Sequence, residues 1–166
     1  VSDKSPHPRG ILDTSTVILL EKLADAKALP AEPLITAVTL AELSVGPLVA
    51  KAESERAARQ TQLQQAEADF EPLPFDADAA RAFGSVAASL RRAGRKTTAR
   101  TYDAMIAATA VANDLPVYTC NPTDFNGIDG LEVVAVPAPD SPSAPNAIGH
   151  TAHETARDPG NPQQLG

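Results

Sequence analysis

Four acidic side chains and one amide stand where they could do chemistry together. Asp13 closes a short apolar run in I-L-D-T-S-T, and Glu42 lies in T-L-A-E-L. Asp103 lies in Y-D-A-M-I-A-A-T-A, while Asn121 and Asp124 share T-C-N-P-T-D-F. Carboxyl groups drawn into one place repel, and some then hold protons at neutral pH. A divalent cation removes that conflict. Mg²⁺ and Mn²⁺ prefer oxygen ligands, and Mg²⁺ keeps several waters, so a few carboxylates suffice. Such ions activate water and stabilise the charge that develops as a phosphodiester breaks. Each residue also has a plainer reading. Asp13 could cap a helix, and Glu42 or Asp103 could favour a helix N-terminus by its charge. Asn121 before Pro122, and Asp124, could be turn residues.

The chemical reading needs a scaffold that gathers distant residues. Ile11-Leu12 reads as a strand ending at Asp13, and Thr14–Ala24 has apolar residues at helical spacing. Leu34–Val38 reads as a buried strand. Thr39 is placed as the cap of a helix over Leu40–Leu48, with Glu42 in its first turn. Ala52–Phe70 reads as a long helix. Glu71–Phe75, broken by Pro72 and Pro74, reads as an edge strand at most. Asp76 caps a predicted helix from Ala77 to about Ala93. Thr101–Asn113 is the next helix, with Asp103 in its first turn. Strands are expected within Leu115–Cys120 and Leu131–Val136. Apolar strands separated by helices predict an α/β fold with a central parallel sheet covered on both faces. The chemistry-bearing residues then fall at the C-terminal ends of the strands, where such sheets place their sites.

Composition sets limits. The chain has 166 residues, 43% of them hydrophobic, which suits one domain with a real core. Residues 10–136 are expected to fold. Residues 1–9 read as a flexible lead-in, and residues 137–166, rich in proline, as a disordered tail. Cys120 is the single cysteine, so no internal disulfide forms. With no secretory signal or membrane-length apolar run, the expected location is the cytoplasm, with no membrane association. His7, His150 and His153 all lie in the expected ends. That leaves no histidine to activate Cys120, Ser15 or Ser44 as a nucleophile. Net charge is −7, from 14 basic and 21 acidic residues, which excludes a whole-surface nucleic-acid clamp. Four Phe, two Tyr and no Trp argue against an aromatic platform for bases. One local exception is Arg91–Arg100, RRAGRKTTAR, with five basic residues and no acid. Arg95, Lys96 and Arg100 are placed to guide a phosphate backbone towards Asp103.

The I-L-D-T-S, T-x-A-E-L, D-x-x-I-A-A-T-A and T-x-N-x-x-D-F motifs, in that order, resemble a PIN domain. More narrowly they resemble a VapC-type toxin of a toxin–antitoxin pair, over about residues 10–136. The resemblance implies a PIN-like three-layer α/β/α fold and a Mg²⁺-dependent endoribonuclease, with Mn²⁺ able to substitute. It implies Asp13, Glu42 and Asp103 as the acidic centre, with Asp13 and Asp103 as metal ligands. Thr14 and Ser15 match hydroxyl positions of the family, and Thr119 matches the hydroxyl of the last motif. Many members carry Asp where this chain has Asn121. Asn can orient water or a ligand but adds no charge, and Asp124 then stands for the fourth carboxylate. The implied partners are an RNA substrate such as transfer RNA, a VapB-type antitoxin, and a second copy in a homodimer. The helices around Thr39–Ala50 and Ala52–Phe70 are the expected antitoxin surface. Two rivals stand beside this reading. An aspartyl-nucleophile phosphatase has D-T-S-T in the right place but lacks its usual second Asp, since Ser15 occupies that position. A catalytically weak PIN domain acting as a binding module draws on Asn121.

Overall fold

A computed structural model describes residues 7–139 of the chain. Most of the expected tail, from residue 140 on, and residues 1–6 of the lead-in lie outside the described residues. The elements run β1 (Arg9–Leu12), α1 (Thr14–Leu19), β2 (Glu32–Leu34), α2 (Ala37–Val49) and α3 (Glu53–Asp69). They continue through α4 (Ala77–Arg92), α5 (Thr101–Ala112), β3 (Val117–Thr119) and β4 (Val133–Ala135). Short 3₁₀ turns occupy Leu20–Lys22, Ala26–Ala28, Thr97–Arg100 and Pro122–Phe125.

The strands form one parallel sheet in the order β2-β1-β3-β4. The central strands β1 and β3 are buried on both faces from Gly10 onward, as their apolar runs require, while the outer strands are half-buried or exposed. Successive strand residues point to opposite sides. Ile11 and Val117 therefore enter one core with Val86 and Leu90 of α4 and Ile106 of α5. Leu12 and Tyr118 enter the other, against Val17, Leu20 and Leu23. A third cluster, Ile35, Leu43 and Ala66, joins α2 to α3. Burying each large side chain contributes about 1.5–3 kcal/mol. In α5, Ala104, Ala107, Ala108 and Ala110 are all fully buried. That helix is a rigid post, open to solvent mainly at its ends.

Several boundaries differ from expectation, each for a local reason. The expected helix over Thr14–Ala24 ends at Leu19 and tightens into a 3₁₀ turn. α2 begins at Ala37 because Thr36, not Thr39, caps it: the Thr39 N–H donates to Thr36 Oγ1 at 3.1 Å. The strand expected over Leu34–Val38 lies earlier, at Glu32–Leu34, and shares only Leu34 with that expectation, while Glu42 falls in the second helical turn instead of the first. The expected strand at Glu71–Phe75 shrinks to one bridge, Thr36 with Leu73, because the flanking prolines lack a donor. The lead-in is also shorter, since Arg9 already pairs with Glu32. Asp76 caps α4 as expected, accepting from the N–H groups of Asp78 and Ala79.

Gly10 allows the closest approach in the sheet. A Cβ there would lie 2.4 Å from Tyr118 Cε2 and 3.4 Å from Pro30 Cγ. Tyr118 is fully buried and cannot move aside without opening its core. Gly10→Ala is expected to destabilise the fold by about 1–3 kcal/mol, read as a lower urea midpoint; an unchanged midpoint would contradict this packing.

Candidate active site

β1 and β3 lie side by side at the point where the strand order reverses direction. Asp13 leaves the end of β1 there and is 3% exposed. Burying a carboxyl group is costly unless hydrogen bonds compensate it. Three donors do so. Ser15 Oγ donates to Oδ1 at 3.0 Å and Oδ2 at 2.8 Å. The Thr16 N–H donates to Oδ1 at 3.0 Å, and Thr119 Oγ1 donates to Oδ2 at 2.8 Å. The plain reading of Asp13 is therefore also correct: it caps α1. Capping and facing the site are compatible because the cap bond uses one of its two oxygens, and that oxygen keeps acceptor capacity.

Glu42 is half-buried on α2, and Thr14 Oγ1 donates to its Oε2. Burial raises its proton affinity and the nearby Asp13 adds to this, while the Thr14 bond opposes them. Asp103 sits in the first turn of α5, in a cleft of about 450 Å³ that Glu42, Thr98, Arg100, Thr101 and Tyr102 also line. Its carboxyl is pushed up to about 6, first by burial, then by Asp124, Glu42 and Asp13, with Arg100 opposing. The acidic residues thus sense one another's charge, although they come from four separate stretches of chain.

The remaining expected residues divide. Ser15 and Thr119 meet at Asp13. Asp124 lies in the turn after β3 and is ion-paired with Arg100. Asn121 is exposed at the rim. Its N–H donates to Thr119 Oγ1 at 2.9 Å, and its side chain does not cap the turn it opens. Of the basic run, Lys96 is exposed, Arg95 donates to the Asn126 carbonyl at 2.8 Å, and Arg92 pairs with Asp129.

Thr16 is a supporting residue that the sequence alone did not single out. Its hydroxyl receives the Cys120 N–H at 3.1 Å and reaches the Tyr118 carbonyl at 3.3 Å, tying α1 to the end of β3. The hydroxyl run after Asp13 was the available signal. Cys120 is half-buried, and burial raises its thiol pKa, which does not suit a nucleophile.

The donors facing this cleft are hard oxygens, the kind Mg²⁺ and Mn²⁺ take. Among the described residues, no three His, Cys, Asp or Glu side chains form a ready-made metal cage. A hydrated ion needs only one or two carboxylates, and Asp13 and Asp103 could supply them. The mutual repulsion at Asp103 is what a cation would relieve.

A family model for the PIN domain matches residues 11–131. Ribonuclease VapC5 of Mycobacterium tuberculosis is 40% identical over 129 residues, covering 76% of this chain and 93% of that protein. Ribonuclease VapC of Rickettsia bellii is 32% identical over 129 residues, covering 76% and 95%. The crystal structure of VapBC-5, a toxin–antitoxin system of M. tuberculosis, matches with a TM-score of 0.66 at 37% identity, covering 78% of this chain and 99% of that one. DNA-bound VapBC from Salmonella typhimurium matches with a TM-score of 0.62 at 27% identity, covering 75% and 96%. The chain belongs to the PIN-domain family and, within it, to the VapC proteins, as its four ordered motifs implied.

The crowding at Asp103 has a measurable consequence. Its folded pKa of about 6 lies above the ordinary value of 3.8. Without metal, the folded state therefore binds more protons between those values, and stability falls as pH rises through that window. The shift corresponds to about 3 kcal/mol in full, reduced to about 1 kcal/mol by solvent screening of a half-exposed group. In EDTA, Asp103→Asn is expected to be about 1 kcal/mol more stable than wild type at pH 7, with a shallower slope from pH 4 to 6. Urea midpoints across that range check this; an unchanged slope would contradict it.

Proposed function

We propose that this chain is a metal-dependent endoribonuclease that hydrolyses RNA phosphodiester bonds as the toxin of a VapBC-type pair. The observation that carries the proposal is that Asp124, Glu42 and Asp13 all lie near enough to Asp103 to add to the burial that pushes its carboxyl up to about 6. Structural acids are seldom gathered at such a cost away from a functional site. The relatives named ribonuclease and the solved VapBC complexes support the same reading.

Asp13 and Asp103 would hold Mg²⁺, or Mn²⁺ in its place. When bound, the ion supplies water activation and stabilises charge on the breaking phosphodiester. The chain's own residues do the rest. Asp13 is locked by its three donors and gives the site one immobile acceptor. Glu42, with its proton affinity raised by burial, is suited to take the proton released as water attacks phosphorus. Thr14 orients it. Asn121 at the rim orients water or substrate without adding charge. Asp124 is the fourth carboxyl group, held by Arg100. Lys96, with Arg95 and Arg100, attracts the RNA backbone to a protein that is acidic as a whole. Transfer RNA is one substrate of this class.

A VapB-type antitoxin is the proposed partner. Its surface is the α2–α3 arm, where Val45, Leu48 and Val49 are exposed. The chain works as a homodimer in the cytoplasm. Among the described residues, no helix is long and apolar enough to cross a membrane.

The test is cleavage of total and transfer RNA by the partner-free protein with Mg²⁺, Mn²⁺ or EDTA. Asp103→Asn is expected to lower cleavage at least 100-fold while keeping the native circular dichroism. Cleavage that persists in that variant, or in EDTA, would overturn the proposal. Replacing Arg95 and Lys96 by Ala is expected to weaken RNA binding and flatten its salt dependence by about 1–2 units of slope. An identical slope would make the basic run a solvated loop.

A further inference from the structure

Composition argues against an aromatic platform for bases, yet one of the two tyrosines stands in the cleft. Tyr102 is 55% exposed and, among the described residues, is the one aromatic in the set of exposed large hydrophobic side chains that also holds Ile18, Val45, Leu48 and Val49. It precedes Asp103 in the first turn of α5 and lines the same cleft of about 450 Å³. Tyr118, the other tyrosine, is fully buried in the core. Leaving an aromatic ring in water forgoes the gain from burying it. The buried residues of α5 begin at Ala104, so the core contacts of the helix do not involve position 102.

The surroundings of Tyr102 suit a nucleotide. Arg100 stands two residues before it, with its guanidinium side chain one-third exposed and paired to Asp124. Thr98 and Thr101 add hydroxyls to the wall, and Thr101 Oγ1 lies within bonding distance of the Thr97 and Thr98 carbonyls. The cleft thus offers an aromatic face, a cation and hydroxyl groups, together with the carboxyl groups of Glu42 and Asp103. An aromatic face takes any unpaired base, since every base has a π-face. Arg binds phosphate through planar, paired donors.

We infer that Tyr102 is the stacking platform for one unpaired nucleobase beside the phosphate to be cut, with Arg100 binding a flanking phosphate. The inference rests on the ribonuclease reading and narrows its substrate to RNA with an unstacked segment at the cut. A base still stacked inside a duplex has no free face for Tyr102. Arg100 would exchange Asp124 for an RNA phosphate as substrate enters. A protein segment could also lie on an exposed tyrosine. The cleft favours the nucleotide because its cation and hydroxyls are phosphate and ribose partners beside the carboxyl groups.

The experiment separates this inference from the reaction. Binding is measured in the Asp103→Asn background with a single-stranded 12-residue oligoribonucleotide carrying 2-aminopurine, and with the same sequence in a duplex. The single strand is expected to bind with 2-aminopurine quenching at one register. Adding Tyr102→Ala should weaken binding about tenfold and remove the quenching. Adding Tyr102→Trp should restore both. In the Asp103-containing protein, Tyr102→Ala should raise KM about tenfold and leave kcat within about twofold. Equal binding and quenching with and without Tyr102 would overturn the inference. So would duplex binding as tight as single-strand binding, or a Tyr102→Ala effect confined to antitoxin affinity. Failure of wild type to cut RNA would count against the ribonuclease reading alone, because the binding arm reports on Tyr102 without cleavage.

Discussion

Asp13 is a carboxyl group almost fully withdrawn from water, and the site depends on how that burial is compensated. Its donors come from the first turn of α1 and from the end of β3, two stretches about a hundred residues apart in sequence. The bonds that satisfy Asp13 are therefore the same bonds that fasten β1, α1 and β3 together. Thr16 completes the seam by tying α1 to the backbone of Tyr118 and Cys120. A carboxyl held this way cannot swing to a new rotamer without leaving several polar atoms unpaired in a buried place. That is the rigidity a catalytic or metal-binding acid needs.

The opposite wall is built on a different principle. Asp103 projects from a helix anchored in the core by Ile106 and four buried alanines, so its placement comes from packing. Its environment is repulsive, with Asp124, Glu42 and Asp13 all raising its proton affinity. The Arg100–Asp124 pair relieves part of that repulsion from within the chain. One wall is thus neutralised by hydrogen bonds and the other only in part by a neighbouring cation. An unrelieved remainder of like charge is left at Asp103. The basic loop before α5 adds an attractive field over a short range, since exposed charges are screened beyond about 8–10 Å. On a protein of net charge −7 this positive field is a local exception.

Much of this was legible in the chain. Apolar strands alternating with amphipathic segments determined a parallel sheet, because only strands buried on both faces carry such runs. Asp13, Glu42 and Asp103 were legible as candidates because four motifs occur in family order, although Glu42 stands one turn deeper in its helix than the sequence suggested. Asp76 was legible as a cap because its side chain has a single good use. The choice between Thr36 and Thr39 was not legible. Both can cap, and the bridge from Thr36 to Leu73, distant in sequence, holds Thr36 extended at the helix start.

What the sequence determined by itself is the set of chemical groups, their order and the class of sheet that gathers them. Those follow from side-chain type and periodicity, which are local properties. What only tertiary structure decided is which group faces which. Arg100 meets Asp124, Arg95 donates to a carbonyl, Ser15 and Thr119 converge on one carboxyl, and Tyr102 stands in the cleft while Tyr118 is buried. The two tyrosines show the reason most simply. Tyr118 lies on a central strand with both faces covered, whereas Tyr102 lies in the first turn of a helix that rises out of the core. Burial belongs to the packing around a residue, and the residue's own letter does not contain it.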